Sequence, residues 1–343
     1  MENTKPLVSV LLGVYNGETY LSQAIQSVLD QTYKNFELVV LSDAHTSEES
    51  LRIINQFSDL RIRHIRLPAS VNTLASSLNV GIDESKGKYI ARMDVDDISL
   101  PKRLEREVAY MEKNLGISIC GAWAKTFGLT ESVIKHPTHP EEIKANLLFQ
   151  ASLVHPTVIM RKETLDKYNL RYNPAMKYCE DLDMWLRASR YVKIANIAEV
   201  LLLYRSHATQ GHRQAEETQR GIKTGLRETQ LSFLGIRPSL REMEIHSKLS
   251  AYQSEKTEAF QIEASEWLQK IAEVNSVAHE YDPSALKTVL GKKWFAVCFI
   301  SAKKLGLAGW KIFWASPLSR YFEKDAGNIL RLTRFFFLSL RVG

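Results

Sequence analysis

Apolar and polar positions alternate along the first 114 residues with two periods in turn. Residues 7–15 (LVSVLLGVY) form a nearly continuous apolar run, the pattern of a strand buried on both faces of a parallel sheet. Asn16 and Gly17 supply a turn, and residues 18–31 then place Leu21, Ile25, Val28 and Leu29 at helical spacing. A second buried strand over 36–41 ends at Ser42 and Asp43. Helix 47–57, strand 61–66, helix 72–84, strand 89–93 and a helix opened by Pro101 and running to 114 continue the series. Strands alternating with helices of about a dozen residues predict βαβ units and an α/β fold with a parallel sheet. Ligands of such sheets bind outside the carboxyl ends of the strands. Tyr15, Asp43, Asn72 and the run from Asp94 to Asp97 all fall at those ends, so one crevice can gather them. No G-x-G-x-x-G and no G-x-x-x-x-G-K-[ST] follows the first strand, which weighs against a dinucleotide or P-loop site.

Composition bounds the rest. A chain of 343 residues is long enough for one large domain with an appendage, or for two domains. Its 45% hydrophobic content is that of a globular protein. Cys120, Cys179 and Cys298 are too widely spaced for a disulfide framework or a zinc site, which fits a reducing compartment. The first residues carry no apolar signal core, and no run reaches the roughly 20 apolar residues that a membrane span needs. The net charge of +6 is uneven: residues 285–343 hold 11 Lys and Arg against 2 Asp and Glu. The basic balance therefore belongs to the C-terminal tail.

The densest chemistry lies at 87–104, where Asp94, Asp96 and Asp97 crowd the end of a strand. Carboxylates this close repel one another unless a cation sits between them. A hard divalent ion takes one or two of them and completes its shell with phosphate oxygens and water. That reading is a metal-diphosphate site. The alternative is an acidic strand-to-helix loop in which Asp97 or Ser99 caps the next helix.

Several blocks in order carry a family resemblance: PLVSVLLGVYN, SVLDQTYKNFELVVLSD, GKYIARMDVDDISLPKRL, His155 to Arg161, CEDLDMWLR at 179–187 and Tyr204-Arg205-Ser206-His207. Together they resemble the family 2 glycosyltransferases with the GT-A fold, of the bacterial polysaccharide and lipopolysaccharide type. The resemblance covers about the first 215 residues. It implies a three-layer α/β/α, Rossmann-like catalytic domain over 1–215, with a helical C-terminal extension over 216–343.

By the same resemblance, Asp43 hydrogen-bonds the nucleobase and the start of the first helix covers the nucleotide, which brings in Val14, Tyr15, Asn16 and Glu18. Asn72, Arg92, Asp94 and Val95 lie on the donor side, Asp94 toward the ribose and sugar. Asp96 holds Mn²⁺ or Mg²⁺ bridging the diphosphate, His207 completes that metal site, and Arg205 meets the diphosphate. Asp181 is the catalytic base and Glu180 orients the acceptor. The family often writes Asp-Asp-Gly-Ser where this chain has Ser42-Asp43-Ala44-His45, which changes the loop around the base. Asp43 read alone is also a turn residue, Asp181 a first-turn helix residue, and His155 and His207 ordinary structural histidines. Trp185 and Leu186 read as core.

The function implied is inverting, metal-dependent transfer of a sugar from a nucleotide-diphosphate donor, UDP-linked in first expectation. The acceptor is a hydroxyl of a glycan or a lipid-linked glycan, in cell-surface polysaccharide synthesis. One base with no second carboxylate placed as nucleophile favours direct displacement. Residues 214–278 read as polar helices (216–233, 239–252, 255–274), with His212 and Arg213 in a polar segment before them. The tail mixes basic groups with Trp294, Phe295, Phe299, Trp310, Phe313, Trp314, Tyr321, Phe322 and Phe335 to Phe337. That composition fits contact with an anionic membrane surface, hence a cytoplasmic protein peripheral at the inner face of the membrane. The alternative is a helical subdomain with packed aromatics and solvated lysines. No recognised nucleic-acid module accompanies the basic residues. Two other functions fit parts of the pattern. One is a nucleotidyltransferase, which wants a Gly-rich, basic loop after the first strand that 13–19 lacks; the other is a non-catalytic membrane adaptor.

Overall fold

A computed structural model describes residues 6–15, 17–207 and 216–321; Asn16, His212, Arg213, Phe322 and Phe335 to Phe337 lie outside these. The chain divides into two compact units: Met1–Ile143 with Ala151–Gln219, and Lys144–Gln150 with Arg220–Gly343.

The first unit is an α/β fold around one mixed sheet. Strand β1 (Val8–Val14) is buried almost throughout and lies between β2 (Phe36–Ser42) and β4 (Tyr89–Met93), parallel to both. The outer strand β3 (Ile62–Arg66) pairs parallel with β2. Helices α1 (Glu18–Leu29), α2 (Glu48–Asn55) and α3 (Leu74–Glu84) form the crossovers. Helix α1 buries Leu21, Ile25, Val28 and Leu29. Its apolar positions therefore do what their spacing predicts. Helix α3 starts at Leu74 rather than at 72, because Thr73 accepts from the Ser76 N–H and its backbone N–H is satisfied by Ser76 in return, a capping box.

Beyond β4 the structure departs from a purely parallel sheet. The order is β3-β2-β1-β4-β8-β6-β9-β5, with β7 (Val133–Ile134) paired to β6. Strand β8 (Ile159–Arg161) is antiparallel to both β4 and β6 (Ile117–Gly128). Strand β9 (Lys193–Ser206) runs parallel to β6 and antiparallel to the two-residue β5 (Ile98–Ser99). Arg161, 5% exposed, fastens β8 by donating to the carbonyls of Ile117 (2.8 Å) and Met111 (2.6 Å) and to the Tyr89 hydroxyl (2.9 Å).

The helix expected to open on Pro101 begins instead at Arg103 (α4, Arg103–Lys113), after a turn at Pro101 and Lys102. The buried Gln31 explains the shift. Its Oε1 accepts from the Leu104 N–H (3.0 Å), and its Nε2 donates to the Leu100 carbonyl (2.8 Å) and the Ser99 hydroxyl (3.1 Å). A side chain from the end of α1 thus caps α4, and neither Asp97 nor Ser99 does so. Arg103 then ties α4 to the end of β4. It is fully buried, pairs with Glu107 (2.8 Å) and donates to the Arg92 carbonyl (2.8 Å). Burial lifts the Glu107 carboxyl to about 7 despite that partner. Glu107→Ala leaves the Arg103 charge buried without its partner, so we expect a loss of about 3–5 kcal/mol in denaturant unfolding. A loss below about 1 kcal/mol would show that the pair contributes nothing.

The second unit is helical. Helices α6 (Lys162–Lys167) and α7 (Glu180–Ala188) belong to the first unit, and α5 (Pro140–Leu147) passes from the first unit into the second at Lys144. The second unit is otherwise built from α8 (Glu216–Phe233), α9 (Leu240–Ser250), α10 (Glu258–Ala278) and α11 (Pro283–Ala315), the last broken at Gly306 where φ is +51°. Only glycine takes that turn readily. Its core holds Phe260, Trp267, Trp294 and Phe313, so two aromatics of the tail are interior residues. Lys144–Gln150 belong to this unit, and Ala145, Leu148 and Phe149 to its core. Phe149 stacks on His246 (4.7 Å), whose Nε2 lies 3.0 Å from the Leu148 carbonyl while its Nδ1 accepts from the Trp267 indole (3.2 Å). Burial drives the His246 pKa down to about 3, so the ring is neutral and Nε2 is the donor. Among the described residues, no helix is long and apolar enough to cross a membrane.

Candidate active site

The carboxyl ends of β1, β2 and β4 open onto two adjoining cavities in the α/β unit. The first, about 580 Å³, is lined by Val14, Tyr15, Asp43, His45, Asn72, Lys177 and Tyr178, among others. The second, about 610 Å³, is lined by Arg92, Asp94, Val95, Asp96, His155, Asp181 and Tyr204, among others. Gly13, Tyr15, Leu74, Tyr178 and Glu180 face both. Glu18, Arg205 and His207 do not line either one.

Asp43 shapes its own loop. Its Oδ1 accepts from the His45 N–H (2.9 Å), and the Thr46 hydroxyl lies 3.1 Å from it and 2.8 Å from the Val14 carbonyl. This is an Asx turn, and it leaves the residue on the wall of the first cavity. Glu18 is used locally: it accepts from the hydroxyl of Ser47, the N-cap of α2, and that bond holds its pKa below the usual value. The start of α1 nevertheless lies against the aspartate loop. A Cβ on Gly17 would come within 2.9 Å of the Val95 side chain.

Asp94, Asp96 and Asp97 bring one carboxylate oxygen each to within 4.8 Å of one another. Asp94 is paired with the buried Arg92. Burial, together with neighbouring Asp96, still raises its pKa to about 6. Asp97 is 1% exposed; burial first, then Asp94 and Asp96, push its pKa well up. Its Oδ1 accepts from the Arg205 N–H (2.8 Å), while its buried Oδ2 has no hydrogen-bond partner among the described residues. The pairing of β5 with β9, Ile98 opposite Leu203, carries the 204–207 block to this loop. His207 Nε2 thereby comes 2.9 Å from Asp96 Oδ2. Arg205 is engaged beneath the loop: its Nε donates to the Asp96 carbonyl (2.7 Å), and its guanidinium lies between Tyr20 (4.1 Å) and Phe127 (4.4 Å).

On the other wall, α7 begins at Glu180. Glu180 Oε2 is buried and has no hydrogen-bond partner among the described residues, and burial raises the pKa of the group. Asp181 Oδ1 accepts from the Leu182 N–H (2.7 Å). Asp183 turns away to Arg187 (2.7 Å), and Trp185 is wholly buried. His155 faces the second cavity with Nε2 2.9 Å from the Tyr172 hydroxyl; burial and then Arg92 hold its pKa well below the ordinary value, so it stays uncharged. Two wall residues had no assigned role in the sequence. Tyr178 precedes α7 in the left-handed region (φ +64°), and the Asn-Pro pair at 173–174 announces only a turn there. Tyr204 stands in a block already noted, but nothing in the pattern aims it at the aspartates.

Residues 9–169 match the family described as Glycosyl transferase family 2. The chain is 35% identical over 241 residues to an uncharacterized glycosyltransferase of Haemophilus influenzae, covering 65% of this chain and 73% of that one. It is 30% identical over 211 residues to the O-antigen biosynthesis glycosyltransferase WbnJ of Escherichia coli, covering 59% and 80%. Its fold is similar to that of S. aureus TarS 1-349, solved with UDP-GlcNAc (TM-score 0.56, 15% identity, 82% of this chain and 90% of that one). It is also similar to the mannosyltransferase PcManGT of Pyrobaculum calidifontis, solved with GDP-Man and Mn²⁺ (TM-score 0.50, 12% identity, 99% and 87%). The GT-A fold, the family match and the length of the relative covered lead to one conclusion: this chain is a glycosyltransferase and belongs to family 2.

Proposed function

We propose that the protein transfers a sugar, with inversion and with a divalent ion, from a nucleotide-diphosphate donor to a hydroxyl of a glycan or lipid-linked glycan. The observation that carries this reading is the meeting of two carboxylate groups on one cavity. Asp94 and Asp96 enter from β4, and Glu180 and Asp181 enter from α7. The adjoining cavity with Asp43 and Asn72 suits the nucleoside. The catalytic role is assigned to residues 1–215, with 216–343 as an appended helical region.

The aspartates fit Mn²⁺ or Mg²⁺. They offer hard oxygen donors within reach of one ion, and the buried Asp97 Oδ2 lacks a partner among the described residues. Asp96 is the principal ligand, Asp97 stands behind it, and His207 either joins the ion or orients Asp96. When bound, the ion neutralises charge that builds on the leaving diphosphate. Asp43 holds the base, Asp94 the ribose and sugar side, and Arg92 fixes Asp94. Arg205 supports the diphosphate through the loop it braces. Asp181 takes the proton of the acceptor hydroxyl as its oxygen attacks the anomeric carbon, the nucleoside diphosphate leaves from the opposite face, and Glu180 orients the acceptor.

UDP is the expected nucleotide, and GDP is its rival, since TarS and PcManGT were solved with one of each class. Calorimetric titration with UDP, GDP, dTDP and CDP, each with Mn²⁺ and with chelator, tests this. One nucleotide should bind in a metal-dependent way; binding of none would sink the donor reading. A role in cell-surface polysaccharide synthesis is suggested by what WbnJ's name states for that protein. We place the enzyme on the cytoplasmic side, in contact with anionic lipid through exposed Lys303, Lys304, Lys311 and Trp314. Sedimentation with anionic but not neutral vesicles checks that contact.

Metal binding should strengthen with pH. Without the ion, Asp94 has a raised pKa, so its proton contributes stability that is present below the ordinary carboxylate value and lost as pH rises through about 6. An ion held by Asp96 favours the ionised form of Asp94 as a neighbour, since their carboxylate oxygens lie within 4.8 Å of each other. The rise in melting temperature on adding Mn²⁺ should therefore be larger at about pH 7.5 than at about pH 5. Equal shifts at both would count against Asp94 facing the ion.

A further inference from the structure

We propose that the acceptor unit entering the second cavity is an uncharged sugar ring, and that rings bearing phosphate or carboxylate are excluded. The inference rests on the donor and base assignments above and goes beyond them to the acceptor class. Four carboxylates, Asp94, Asp96, Glu180 and Asp181, face this cavity of about 610 Å³. Among the described residues, Arg92 is the one Lys or Arg on its lining, and it is already paired with Asp94. The two histidines on the lining bring no positive charge at neutral pH. Burial lowers His136 to about 4 and His155 further below its ordinary value. Lys177 lines the first cavity and not the second.

A bound divalent ion does not change the balance, because the donor's own diphosphate matches its charge. An anion on the acceptor would thus meet like charge, with no unpaired Lys or Arg on the lining among the described residues, which discriminates strongly in a confined site. The remaining wall is of another kind. Ile134, Leu153, Pro156, Tyr178 and Tyr204 present apolar surface with two phenolic hydroxyls. Such a wall accepts the C–H face of a sugar ring and leaves few, placed polar groups to orient it.

The test uses the full chain with Mn²⁺ and a panel of labelled UDP- and GDP-sugars on immobilised glycans. The glycans come in matched sets, each neutral terminal sugar beside its 6-phosphate and its uronic acid. Label should reach neutral members at least about tenfold more than their anionic counterparts. Equal or greater transfer to the anionic members would overturn the proposal. So would transfer to no member while calorimetry shows metal-dependent nucleotide binding intact. Loss of nucleotide binding itself would overturn the donor reading, and this inference with it.

Discussion

Asp96→Asn should abolish the metal dependence of nucleotide binding and reduce turnover by about a thousandfold, the scale of a few kcal/mol of lost charge stabilisation. Asparagine keeps the shape of the side chain and can still face His207, so the change is in charge and not in packing. Asp96 is 23% exposed on its side chain and its carbonyl is held by Arg205, so the loop has supports that do not depend on the carboxylate. The melting temperature without metal should therefore stay near that of the parent. Removing one of three crowded carboxylates can even relieve repulsion on Asp94 and Asp97, whose pKa values it helps to raise. Two measurements decide the matter: Mn²⁺ titration followed by calorimetry, and transfer measured with saturating donor. If the variant bound nucleotide with its Mn²⁺ dependence undiminished, the ion would have to be held elsewhere and Asp96 would be only a partner of His207.

The α/β half of the molecule was legible because its strands are short, buried and announced by runs of Val, Leu and Ile, and because crossover helices carry a clear apolar stripe. The carboxyl-end rule places Tyr15, Asp43, Asn72 and the aspartates in one crevice, and the structure has Asp43 and Asn72 on one of two adjoining cavities, Asp94 and Asp96 on the other and Tyr15 on both. What pattern missed lies in long-range pairing. Strands β6 and β9 are 12 and 14 residues long, yet they carry polar and charged positions that break the alternation. Their pairing, and that of β5 with β9, is what brings 204–207 to the aspartate loop. Capping of α4 by Gln31 from 73 residues away was equally invisible, since local rules look for caps next to the helix. The left-handed Tyr178 had no signal, because nothing in its residue type asks for that conformation.

The same local rules leave the choice between Glu180 and Asp181 open, and kinetics should close it in favour of Asp181. Both residues sit in the first turn of α7, where the helix dipole favours ionised carboxylates. Asp181 accepts from the Leu182 N–H, which holds its orientation. Glu180 has a raised pKa and a buried oxygen without a partner among the described residues, features that also suit a base. Position separates them. Glu180 borders both cavities, whereas Asp181 faces only the second, where the acceptor is proposed to enter. Asp181→Asn should keep metal-dependent donor binding and lower kcat by about 10²- to 10⁴-fold, the usual worth of a positioned base. Glu180→Gln should act mainly on the acceptor KM, because it removes an orienting contact and not the proton acceptor. Should Glu180→Gln lose kcat while Asp181→Asn keeps near-normal turnover, the roles are exchanged, and the group with the raised pKa is the one that takes the proton.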